Sequence, residues 1–120
     1  MESLQRTDLT TRVEGDGVEL RTKQVGELTM AWVTLAKGVD LSAATVGLPD
    51  DLCPCPHWGY MIKGRVRMKE KGGRTSEYPA GQAFYWAPGH APEALEDSEY
   101  VDLSPTADFE RVITHISGGG

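Results

Sequence analysis

Two cysteines and two histidines carry the most reactive chemistry in this chain. Cys53, Cys55 and His57 occupy alternate positions in the run CPCPHW, and His90 follows the Pro-Gly pair at 88–89. Thiolate and imidazole suit zinc or copper, and imidazole with an open position also suits iron, nickel or cobalt. Along an extended chain alternate side chains share a face, so Cys53, Cys55 and His57 point the same way. Residues two apart are separated by about 6.6 Å and residues four apart by about 13 Å, so one ion bridges an adjacent pair and not the outer two. The workable sets are Cys55 with His57, or Cys53 with Cys55, each joined by His90 and leaving a position for water or substrate. A divalent ion held there lowers the pKa of a coordinated water or polarises a substrate oxygen. Glu93, the carboxylate nearest His90 in sequence, is a candidate to orient it or act as a base. His57, His90 and Glu93 are therefore the candidate catalytic groups.

Each of these residues also has a plainer reading. Two thiols in a small β domain serve as buried apolar groups. His57 can be a polar pocket residue without a metal, His90 can cap its turn, and Glu93 can sit in solvent. The single proline between the cysteines argues against a stabilising disulfide, which normally closes a longer loop.

The elements that must position these groups read as strands. Segments 18–25, 28–35, 57–62, 65–69, 75–78, 82–86 and 99–103 are rich in apolar or β-branched residues and are bounded by Gly and Pro turns. The three from 57 to 78 read as a meander. Trp58 and Tyr60 alternate with His57, Gly59 and Met61, so Gly59 and Met61 line the pocket if His57 faces it. The two aromatics then face away and need a second sheet or a partner subunit to cover them. Segment 37–56 is irregular, punctuated by Gly38, Gly47, Pro49, Pro54 and Pro56. Ser104 and Pro105 read as the cap and first residue of a helix over 105–116, whose Phe109, Val112, Ile113 and Ile116 share one face. The polar residues 1–15 are expected to form a loose arm, and the last three glycines, 118–120, to fray. The whole reads as one domain, 1–120, with a β-barrel over 18–103.

Composition narrows the partners. The 12 Lys and Arg against 18 Asp and Glu give a formal charge of −6 with no basic block, which argues against nucleic acid. No apolar run approaches the roughly 20 residues of a membrane span, and the first residues lack a secretion signal's apolar core. A soluble, cytoplasmic protein with no membrane partner is the expectation.

The run CPCPHWGYMIKGRVRM, then YPAGQAFYWAPGHAPEAL and EYVDLSP, resembles the conserved barrel of the cupin superfamily in its small single-domain form, with degenerate metal motifs. The likeness covers about residues 47–105. It implies an all-β jelly-roll barrel, frequent homodimers and a divalent metal held by histidines and a glutamate. Counting forward from Gly47 puts Cys53 and Cys55 in the two histidine places of the first cupin motif. Counting back from Gly64 puts His57 in the glutamate place. In the second motif Gly81 and Gly89 match, Ala87 stands where proline is usual, Pro92 takes the histidine place and His90 lies two residues earlier. The resemblance implies a barrel that binds a divalent metal, zinc first with iron, nickel or copper as other candidates, or a small organic molecule. A metal-dependent dioxygenase, isomerase or cyclase is one outcome; a metal-free ligand-binding or sensing barrel and a structural dimerisation module are the others. No nucleotide cofactor is expected.

Overall fold

The computed structural model describes residues 1–117 and places nine strands in two antiparallel sheets, with one helix after them. The glycines 118–120, expected to fray, lie outside the described residues.

The N-terminal arm expected to be loose is ordered from Thr10 onward. Strand β1 (Thr10–Gly15) pairs with β2 (Val18–Val25), Gly15 opposite Val18, across the two residues Asp16 and Gly17. Both turn residues have positive φ, 52° and 82°, the backbone that Asp-Gly adopts in a tight hairpin. That dipeptide was the available signal, masked by the polar residues before it. Arg12 fixes β1 further with a two-pronged ion pair to Glu110, at 3.0 and 2.9 Å.

Strands β2 and β3 (Leu28–Leu35) occupy the segments predicted, and β3 pairs along its length with β9 (Ser98–Pro105). Strand β9 also pairs with β4 (His57–Lys63), and β4 with β7 (Ala83–Trp86), giving the long sheet the order β1-β2-β3-β9-β4-β7. The short sheet is β6-β5-β8, from β5 (Arg65–Glu70), β6 (Thr75–Pro79) and β8 (His90–Ala94).

The meander expected over 57–78 is therefore cut in two, because β4 and β5 belong to different sheets. Gly64 makes the crossing at φ 82°, where a Cβ would meet Asp97 O and the Ser98 side chain. Strand β8 is, besides β1, an element that sequence reading missed, here because Pro92 lies inside it. Pro92 pairs with Met68 at the sheet's edge, a position where a missing N–H is tolerated.

Helix α1 (Thr106–Ser117) starts one residue later than expected, because Pro105 is the last residue of β9. Ser104 is accordingly a fully buried strand residue and not a helix cap. Phe109, Val112 and Ile113 turn into the core with Ala31, Val33 and Leu35 of β3, Met61, Val66, Met68 and the stacked rings of Phe84 and Trp86. Each such burial contributes about 1.5–3 kcal/mol, which holds the helix across one end of the barrel.

Candidate functional site

Strand β9 presents Tyr100, Asp102 and Ser104 inward at alternate positions from the middle of the long sheet. Gly59 lies opposite Asp102, and two residues back along β4 stands His57, with Trp86 opposite it on β7. A Cβ at Gly59 would come within 2.8 Å of Asp102 Cβ and 2.5 Å of Phe84 Cζ, and would strike Val101 O. Gly59 does not line a pocket, as its alternation with His57 suggested; it leaves the space that Asp102 and Phe84 occupy. Met61, also expected at the pocket, is fully buried in the core.

From the facing side, the irregular segment before β4 is pinned to β8. Cys53 N donates to His90 O at 2.8 Å, and Gly89 N donates to Cys53 O at 2.8 Å. This docking folds the chain back between Cys53 and His57, so the two residues expected to be farthest apart meet, Sγ to Nε2 at 3.8 Å. The extended geometry that ruled out this pair does not apply, because β4 begins only at His57. One ligand atom from each of Cys53, His57 and His90 lies within 4.8 Å of the others. Cys55 is left out: it is fully buried, with Sγ 3.5 Å from Pro56 O. Neither predicted ligand set is the one assembled, since both included Cys55.

Hydrogen bonds select the ring nitrogens. His57 Nδ1 lies 2.6 Å from Ser104 Oγ, and Ser104 Oγ donates to Asp102 Oδ1 at 3.5 Å. With its proton directed to Asp102, the serine accepts from Nδ1–H, which leaves the Nε2 lone pair bare beside Cys53. His90 Nδ1 lies 2.6 Å from Ala87 O, a carbonyl that only accepts, so its Nε2 is bare as well. Anchoring one nitrogen to leave the other as a ligand is how metal-binding histidines are usually held.

Burial disfavours charge at the site. It lowers His57 to about 3, with His90 adding to the effect, and it also lowers His90. It pushes the Cys53 thiol up to about 11 and Cys55 to about 12. Asp102, fully enclosed, is raised to about 7 by the same loss of hydration. Ser104 and Asp102 are site residues that sequence reading did not single out. The signal was the alternation of 98, 100, 102 and 104 along one strand, hidden by reading Ser104 as a cap.

Glu93 stands elsewhere. It lies one position out of phase with His90 and Pro92 on β8, with Oε1 3.8 Å from Arg67. It neither orients His90 nor reaches the cluster.

The cluster opens on a cavity of about 280 Å³ between β1–β3, the loop carrying Leu41 and Thr45, and helix α1. Cys53, His57, His90, Asp102 and Trp86 form one part of its wall. The indole Nε1 of Trp86 is a buried side-chain polar atom with no hydrogen-bond partner among the described residues. A second concavity, of about 410 Å³ beside Gly17, Lys63 and Asp97, contains none of the cluster.

No protein-family model matches the chain, and a search of curated proteins finds no significant match. Solved structures do match. Oxalate decarboxylase from Bacillus subtilis aligns at 23% identity and TM-score 0.63, over 85% of this chain and 28% of that one. The chain thus spans little more than a quarter of the decarboxylase. KdgF from Halomonas sp. aligns at 22% identity and TM-score 0.63, over 88% of this chain and 94% of that one. Taken with the two-sheet topology, these likenesses give the chain the cupin fold: a single jelly-roll barrel closed at one end by a C-terminal helix.

Proposed function

We propose that this barrel binds a divalent metal through Cys53, His57 and His90 and acts on, or senses, a small molecule in the adjoining cavity. The observation that carries the proposal is the paired anchoring of His57 and His90 at Nδ1, which leaves two bare Nε2 atoms beside one thiol. The residues fit zinc. Bonds of about 2.3 Å to sulfur and 2.0–2.1 Å to nitrogen at tetrahedral angles put S and N about 3.6 Å apart. Cys53 Sγ and His57 Nε2 stand at 3.8 Å. Three protein ligands leave a fourth position, the form of a catalytic and not of a closed structural site.

A bound ion supplies a polarised substrate oxygen or an activated water. The chain's own residues supply the rest. Both imidazoles are neutral at physiological pH and need lose no proton to ligate. Cys53 must lose one, so uptake of the ion is coupled to pH. Asp102 Oδ1, poised near neutrality and reached through Ser104, is the group that can hold or release a proton beside the cavity. The cavity disfavours a purely structural module, whose interior would be filled by side chains. For the outer face of the long sheet, where Trp58, Tyr60, Ile62 and Tyr85 remain exposed, the partner we assign is a second copy of the chain.

The test is elemental analysis of untagged protein prepared without chelator, wild type beside a His57→Ala, His90→Ala double variant. Near-stoichiometric metal that the variant lacks supports the site. Wild type that carries none and takes up no added zinc, iron, nickel or copper overturns it and leaves the metal-free ligand-binding reading.

A further inference from the structure

We infer that the cavity takes an uncharged, largely apolar molecule of roughly ten heavy atoms, with a single polar head directed to the Cys53–His57–His90 corner. This deepens the reading just proposed and rests on it for the placement of the head.

The distribution of polarity in the wall is one-sided. Val18, Leu20 and Val33 of the long sheet and Val112, Ile113 and Ile116 of α1 make the body of the cavity. Ligating and acidic side chains gather at Cys53, His57, His90 and Asp102, and the other ionisable groups of the wall are Tyr100 and Asp16, the latter in the β1–β2 turn. A small-molecule site built this way buries an apolar body and orients it by a few polar contacts.

The charges exclude an anionic body. Among the described residues, no lysine or arginine lines the cavity. Arg12, Arg21 and Lys69 are paired with Glu110, Glu19 and Asp40 instead. A carboxylate lying among Val112, Ile113 and Ile116 would be desolvated with no cationic side chain in the wall to pair with it. The molecule is therefore uncharged, and a dicarboxylate does not fit.

Size follows from volume. An apolar cavity of about 150 Å³ holds a benzene molecule, so 280 Å³ accommodates a body of about twice that size, or one ring with a short chain.

The test uses 1-octanol as the neutral probe, with oxalate and octanedioate as dianions. Each is titrated into the full chain, metal-free and zinc-loaded, by heteronuclear NMR, and the metal content of each sample is measured alongside. The expected result is saturable 1-octanol binding with shifts concentrated at Val33, Val112 and Ile116, and no saturable binding of either dianion. Val13→Phe and Ala44→Phe, which narrow the cavity from opposite walls, each weaken 1-octanol binding tenfold or more. The wild-type shift map stands without either variant should one fail to fold. Dianion binding mapped to these residues, or 1-octanol shifts confined to the exposed aromatics around Trp58, overturns the inference. Octanol binding in the cavity of a protein that takes up no metal supports the inference while refuting the metal site. Metal uptake with a dianion preference does the reverse.

Discussion

His57 Nδ1 and Ser104 Oγ meet at 2.6 Å because β4 and β9 are adjacent and in register one step beyond the Trp58–Leu103 pair. That contact determines which nitrogen of His57 reaches the cavity. Asp102, two residues back on β9, draws the serine proton toward itself and so leaves Nδ1 as the protonated nitrogen.

Ser104→Ala removes the anchor and leaves the ligands in place. The expected loss is 10- to 100-fold in zinc affinity, read by chelator competition, with only about 1 kcal/mol lost in unfolding free energy. Unchanged affinity in a folded variant would show that Ser104 does not set the orientation of His57.

The two cysteines separate cleanly. Cys53→Ala is expected to abolish the thiolate-to-cobalt charge-transfer band of the cobalt-loaded protein, whereas Cys55→Ala retains it at a cost of about 1 kcal/mol in stability. Burial holds the Cys53 proton up to about 11, so metal must displace it and apparent affinity climbs as pH rises from 6 to 8. A band lost in Cys55→Ala and kept in Cys53→Ala would reassign the ligand.

The strands that build the barrel were legible where apolar alternation was bounded by glycine and proline. Segments 18–25 and 28–35 appear with those bounds as β2 and β3. What failed were inferences that extended a local pattern across a long-range contact. Cys53, Cys55 and His57 alternate in sequence, but the Cys53–His90 bridge folds the chain before β4 begins and brings together residues four apart. The stretch around Pro92 was not read as a strand because sequence does not reveal which strand lies at an edge, where a proline is tolerated. Ser104 has the spacing of a helix cap, yet β9 continues through it, because β3 pairs with it as far as Pro105.

Asp102 makes stability fall on the alkaline side. Its carboxyl is raised to about 7 in the fold from about 3.8 outside it, so the stability from its neutral form is complete below about pH 4 and lost as pH climbs through 7. His57 acts oppositely. Lowered to about 3 from 6.5, it contributes above pH 6.5 and loses that contribution as pH falls toward 3. Asp102→Asn removes the alkaline loss alone. At pH 8 the metal-free variant is expected to exceed wild type by about 1–4 kcal/mol, and at pH 5 by much less, in urea denaturation. An equal difference at both pH values would mean that Asp102 titrates alike in the folded and unfolded chain.

The outer face of the long sheet carries the last prediction. Trp58, Tyr60 and Tyr85 are 48%, 46% and 53% exposed, and Trp58 packs on Tyr85 across β4 and β7 with centroids 5.2 Å apart. Exposed aromatics joined by strand pairing form one surface, and a contiguous apolar surface on a soluble domain marks a contact site. Two copies related by a two-fold axis would bury the same patch on each other. Each copy carries a formal charge of −6, so added salt should strengthen the association by screening the repulsion between them. Sedimentation equilibrium is expected to find a dimer that tightens with salt and dissociates at least tenfold more readily in Trp58→Ser, Tyr85→Ser. A wild type that stays monomeric at high concentration in both salts would leave this face to a different partner.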